Sequence, residues 1–254
     1  MRWCGLCVVG LLFAGAASVR ADDQADGVKL VDAAIKASGG EQKLKKLETL
    51  SLKGNGKVME GNNEAEMTID ASAKSHDRWR LQLDVTMNGR TKSILIVING
   101  DMGWAKHEDK VEDAPAPVLK VIKQEFRALR MAQMLTPLKD KGVKLSLLGE
   151  VKINDRAALG LKAVQENQPD VDIYFDKETH LPVKCELRIK EPKGDQEGDK
   201  EITTTWLFSE VKAHDGVKHP MKIVLNVEDK KMMELELKEV KPGAKLEDNA
   251  FDKP

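Results

Sequence analysis

Apolar residues fall at helical spacing in two stretches of this chain and alternate with polar ones almost everywhere else. Within residues 22–38, Val28, Leu30, Val31, Ala34 and Ile35 recur every three or four positions, and Gly39-Gly40 ends the run as a helix stop. A short second helix over 41–47 brings Leu44 and Leu47 to one side. Strand patterns follow over 50–58 and 67–73, and Trp79, Leu81, Leu83, Val85 and Met87 then share one face opposite Arg78, Arg80, Gln82 and Asp84. Asn88-Gly89 and Asn99-Gly100 predict tight hairpin turns. Residues 94–98 are apolar at every position, which predicts a strand covered on both faces. Pro115 and Pro117 open a central helix reaching about Leu138, with Leu119, Ile122, Phe126 and Leu129 as its stripe, continued by Met131, Met134 and Leu135. Strands resume over 144–153, 157–165, 171–175, 183–189, 202–208, 221–227 and 232–240, with Asp215-Gly216 and Glu228-Asp229 as turns. The charged, patternless segment 191–200 reads as a mobile hairpin loop.

Ten or eleven strands, mostly in hairpins and flanked by helices, predict an α+β fold built on one antiparallel sheet. Such a sheet has one apolar face that something must cover, and the two apolar helices are the candidates. A strongly curved sheet, a half-open β-barrel with helices packed in its concave face, meets that need. No repeat and no linker divides residues 22–254, so a single domain is expected. The inward face then carries Trp79, Leu81, Leu83 and Val85 from one strand, Trp206 and Phe208 from another, and Ile223 and Leu225 from a third, with Phe126 and Met134 on the central helix. These ten residues are the expected apolar lining.

Residues 1–21 change the picture by supplying an address. Arg2 precedes an apolar run from Val8 to Ala17, and Val19-Arg20-Ala21 forms a small-residue cleavage site, the pattern of an export signal cut after Ala21. The run is shorter than the ~20 residues that span a bilayer, and Asp22-Asp23 follows at once, so no membrane span is expected in the mature chain. Trp3-Cys4-Gly5-Leu6-Cys7 imitates a thioredoxin redox motif but has no room for the strand that must precede one. Cleavage leaves Cys185 alone, which excludes an internal disulfide. It also moves the net charge from −1 to −3 by removing Arg2 and Arg20. That balance argues against a nucleic-acid partner, and 4% aromatic content argues against a stacking groove.

Candidate chemistry is sparse. His76, His107, His180, His214 and His219 form no compact metal signature, and His214 and His219, flanking a turn, are expected to be solvated. Glu108-Asp109 and Glu112-Asp113 lack calcium-loop spacing and enclose Lys110, so they read as a solvated loop. Ser51, Ser72 and Ser209 lack a nucleophile-elbow context. The expectation is a protein without enzymatic activity, cofactor or metal.

Three segments together resemble the periplasmic outer-membrane lipoprotein-sorting carriers. Residues 34–47, AIKASGGEQKLKKL, lead from helix to short helix to strand. Residues 171–184, VDIYFDKETHLPVK, match that family's strand, D-x-x-T-x-L-P turn and strand. Residues 216–223, GVKHPMKI, with the ending LEDNAFDKP, complete the set. The resemblance implies a half-open barrel whose concave face is plugged by helices and receives acyl chains. Its expected partners are a lipid acyl chain or a lipoprotein, in the periplasm or outside the cell, with the chain a monomer. The charged hairpin at 191–200 and a central helix rich in Lys and Arg depart from the pattern, and the family's lid-latching residues find no counterpart. The alternative is a non-catalytic structural or sensory envelope module that binds a protein partner.

Overall fold

Thirteen strands form one antiparallel sheet in a computed structural model that describes residues 21–196 and 198–254, with side chains from Asp23 onward. Residues 1–20 of the expected export signal lie outside the described residues. Helix α1 (Ala21–Ala37) and the short α2 (Glu41–Leu44) lead through a 3-10 turn (Lys45–Glu48) into β1 (Thr49–Glu60). The chain then meanders through β2 (Asn63–Lys74), β3 (Arg78–Met87), β4 (Arg90–Asn99), β5 (Met102–His107) and β6 (Lys110–Asp113). Helix α3 (Ala116–Met134) carries it to the opposite edge, where β7 (Val143–Ile153), β8 (Arg156–Gln165) and β9 (Val171–Asp176) begin a second meander. This one returns through β10 (Pro182–Lys190), β11 (Glu201–His214), β12 (Val217–Val227) and β13 (Lys230–Pro242). The strand order is β6-β5-β4-β3-β2-β1-β13-β12-β11-β10-β9-β8-β7. The two meanders therefore meet in the middle of the sheet, at β1 and β13, and the sheet does not close.

Thirteen strands exceed the expected ten or eleven by the β5–β6 hairpin. Its sequence hides it, because the inward position of β5 is Gly103, against which α3 packs. A Cβ there would lie 2.7 Å from Leu119 Cδ1. Strand β6, Lys-Val-Glu-Asp, is short and mostly charged. The expected acidic loop is thus a hairpin, with Glu112 paired to Lys110 and Asp113 to Lys253 at 2.9 Å.

Register assigns the faces. Trp79, Leu81, Leu83 and Val85 of β3 pair with Ala73, Ala71, Ile69 and Met67 of β2. Trp206 and Phe208 of β11 pair with Leu225 and Ile223 of β12, and Trp206 pairs with Cys185 of β10 on its other side. Paired residues of an antiparallel ladder project to one face, so a continuous apolar surface runs across the sheet. Curvature follows from α3. Its Phe126 stacks on Trp79 of β3, with ring centroids 4.2 Å apart, while its Ala128 carbonyl lies 3.6 Å from Cys185 Sγ of β10. Those strands are six places apart in the sheet, roughly 29 Å if it were flat. One helix of about 10 Å diameter touches both only if the sheet wraps around it.

Helix α1 covers the start of the β7 edge, where Gln24 Oε1 accepts from the Leu145 N–H at 2.6 Å. Its end is fixed by Gly39, whose φ is +121° and whose Cβ, if present, would meet the Gly216 carbonyl at 2.1 Å. A smaller cluster on the reverse face, Val97 with Trp104 and Phe251, is closed by the C-terminal tail. Val97 and Ile98 are accordingly buried on opposite faces, as expected for 94–98, while Ile94, Leu95 and Ile96 stay half-buried.

Candidate site on the concave face

The expected lining residues divide into two groups. Met134, Trp206, Phe208 and Ile223 are buried in the main core. Trp79, Leu83, Val85, Phe126 and Leu225 pack against that core but remain half-buried. Leu81 is half-buried as well and is not among the residues packed on the core; its neighbours across the ladders, Ala71 and Ile96, are equally half-buried. Helix α3 thus covers the inward face over β10 and β11. It leaves a strip over β2–β4 and the far ends of β12 and β13 only partly covered. Ile69, Ile94, Val58, Val227 and Met233 belong to this half-buried apolar strip and were absent from the expected lining.

Polar groups on α3 border the same face, and a reading of its apolar stripe gives no sign of them. Arg130 is 1% exposed. Its Nη2 donates to the Leu47 carbonyl, and the guanidinium stands 5.6 Å from the Trp79 ring centroid. Its Nε and Nη1 have no hydrogen-bond partner, nor do Trp79 Nε1, Trp206 Nε1 and Thr204 Oγ1. Burial lowers the Arg130 pKa to about 10, with Glu48 opposing, so the group stays a cation. Arg127 reaches only neutral acceptors, Gln165 Oε1 at 2.6 Å and the Pro169 carbonyl at 3.4 Å. Glu125 lies beside Thr204. Burial raises its carboxyl to about 7 against the influence of that hydroxyl, although the two do not meet in hydrogen-bond geometry.

His219 corrects an expectation. Far from solvated, it is 1% exposed, because the 217, 219, 221, 223 alternation of β12 points it inward with Val217 and Met221. Its Nδ1 lies 2.8 Å from the Pro220 carbonyl, which only accepts, so Nδ1 carries the proton and Nε2 is bare. His214 remains half-buried, with Nε2 3.2 Å from Met221 Sδ.

Two larger clefts lie outside the ten residues. One, of about 600 Å³, sits where α3 meets the turns at His76, Gly100 and Gln168. The other, of about 460 Å³, is on the reverse face among Lys57, Glu64, Asp84 and Glu234. Among the described residues no three of His, Cys, Asp and Glu converge as metal ligands, and no helix is long and apolar enough to cross a membrane.

No family model matches the chain, and no curated protein matches its sequence. Solved structures do match. An outer-membrane-lipoprotein-sorting protein domain from Vibrio parahaemolyticus superimposes with a TM-score of 0.57 at 14% identity, over 91% of this chain and 97% of that one. A DUF1329-family protein from Desulfovibrio piger gives 0.55 at 11% identity, over 89% and 97%. A LolA-superfamily protein from Nitrosomonas europaea gives 0.52 at 13% identity over the same shares. With nearly the whole of each chain aligned around one helix-filled sheet, the protein has the fold of the LolA superfamily and its lipoprotein-sorting domains.

Proposed function

We propose that this chain is an exported envelope protein, periplasmic or secreted, whose concave face holds acyl chains of lipids or lipoproteins. One observation carries the reading. Leu81, Leu83, Val85 and Leu225 face inward by register yet are left half-buried by the helix that should cover them. Burial of each CH₂ against such a strip is worth about 0.8 kcal/mol, so a short alkyl segment suffices for useful affinity. The lipoprotein-sorting role of the Vibrio parahaemolyticus fold neighbour supports the same reading. The protein works without catalysis, cofactor or metal, as one domain over 22–254 and as a monomer.

Native mass spectrometry of protein purified from its own cells tests this. The expected result is a mature chain starting at Asp22 with a co-purifying acyl species. A chain starting at Met1, or one that neither carries nor takes up a fluorescent fatty acid, overturns it. The second reading, a module binding a protein partner, has one observation in its favour: Leu147, Leu148 and Val151 are exposed on the edge strand β7. A retained polypeptide without lipid favours that reading.

A further inference from the structure

Two buried side chains beside the inward face hold three N–H donors without an acceptor. Arg130 Nε and Nη1 and Trp79 Nε1 are all buried and unpartnered, and the guanidinium lies 5.6 Å from the indole centroid. Among the described residues Arg130 has no ion pair, and its one hydrogen-bond partner is the Leu47 carbonyl, reached through Nη2. The exposed Glu48 carboxylate acts on it only from a distance, and the other titratable neighbour in its field is the buried His219. Leaving buried donors unmade is costly, more so on a charged group, and a guanidinium does not escape by losing its proton. Waters beside Trp79 would relieve some of that cost, but every missing partner here is an acceptor and the site already holds a positive charge. The matching group is an anion.

The position of these donors matters as much as their number. Trp79 stands at one end of the inward row of β3, and Leu81, Leu83 and Val85 continue from it as half-buried apolar residues. That row is about 20 Å long, enough for an extended alkyl chain whose head rests at Trp79.

We propose that Arg130 and Trp79 form a head-group station, so that the ligand is an amphiphile bearing a carboxylate or a phosphate monoester on an alkyl chain. The inference rests on the acyl-binding reading above and adds the charge of the head. A cation whose Nε and Nη1 each still have an N–H to give, with an indole N–H nearby, suits an anionic oxygen group.

Displacement of the neutral probe N-phenyl-1-naphthylamine from the mature chain tests it, with dodecanoate, dodecyl phosphate and 1-dodecanol as competitors. At least one of the two acids should bind about tenfold more tightly than the alcohol, as expected for a charge-assisted hydrogen bond. The stronger of the two identifies the head as carboxylate or phosphate. Arg130→Met should bring the acids down to the affinity of the alcohol, and Trp79→Phe, which keeps the stack on Phe126, should narrow the difference. Equal binding of acid and alcohol by the parent protein overturns the head-group station while leaving the acyl reading intact. An acid preference that survives in a folded Arg130→Met also overturns it. No displacement by any competitor ends both readings. If Arg130→Met fails to fold, the parent comparison and Trp79→Phe decide.

Discussion

A buried histidine with one bare nitrogen makes the stability of this protein depend on pH. Burial, opposed by the Pro220 carbonyl and reinforced by the charges of His214 and Arg130, lowers the His219 pKa to about 4 from an ordinary 6.5. The unfolded chain takes up a proton near pH 6.5, whereas the folded chain resists until about 4. The folded state is therefore fully favoured above 6.5 and loses roughly 3 kcal/mol as pH falls from 6.5 to 4. Urea unfolding at intervals across this window should show the loss in the parent and its absence in His219→Leu. Parallel slopes in the two proteins would mean that other groups carry it. Beside His219 lies a space of about 20 Å³ bordered by Ser38 and Gln133, room for one water. Residue by residue, this was hard to read in advance. His219 sits three positions after the turn glycine Gly216 and next to Lys218, and only the register of β12 turns it inward.

At the scale of elements, the C-terminal tail does the work of a missing layer. Phe251, 4% exposed, closes Val97 and Trp104 on the reverse face, and Lys253 pairs with Asp113 of β6. Phe251→Ala should therefore loosen the β4–β6 edge while leaving the β7–β13 half intact. Hydrogen exchange read by segment checks this, with faster exchange expected over 94–113 alone. Exchange that rises equally in both meanders would place the tail in the main core instead. The elements themselves were largely legible in the sequence. Helix periodicity and strand alternation found α1, α3 and eleven strands, because those elements bury large side chains on one face. The β5–β6 hairpin escaped because its inward position is a glycine that fits under Leu119. The end of α3 was blurred for another reason. Leu135 stops it in a left-handed conformation, φ 62°, that leucine seldom adopts and no sequence pattern announces.

For the whole molecule, the inward face has a fully buried part and a half-buried part, and truncation should tell them apart. Phe208, 4% exposed in the core, should cost about 3–5 kcal/mol when changed to Ala. Leu83→Ala and Leu225→Ala remove half-buried side chains and should cost under about 2 kcal/mol, while weakening fatty-acid uptake. Equal losses at all three sites would mean a uniformly packed barrel. Alternation puts the ten residues on one face but is silent on where α3 lies, so the expected lining mixes core with half-buried residues. Arg130 and Glu125 could not be foreseen either, since on a helix rich in charged residues nothing marks the ones that end up buried.

The meeting of the two meanders at β1 and β13 also sets the order of assembly. Leu50 pairs with Pro242 and Leu52 with Val240, contacts that join almost opposite ends of the chain. Pairings this distant form slowly, since the intervening segment must first be brought to order. A chain delivered N-terminus first would complete β1–β6 long before β13 arrives. Until then β1 stands as a bare edge, and the apolar side of its meander has no cover, because α3 also needs β10 in place. Such an intermediate invites pairing with a second unfinished copy. Refolding yield should consequently fall with protein concentration, even though the finished molecule has β1 at the centre of its sheet and out of reach of any neighbour.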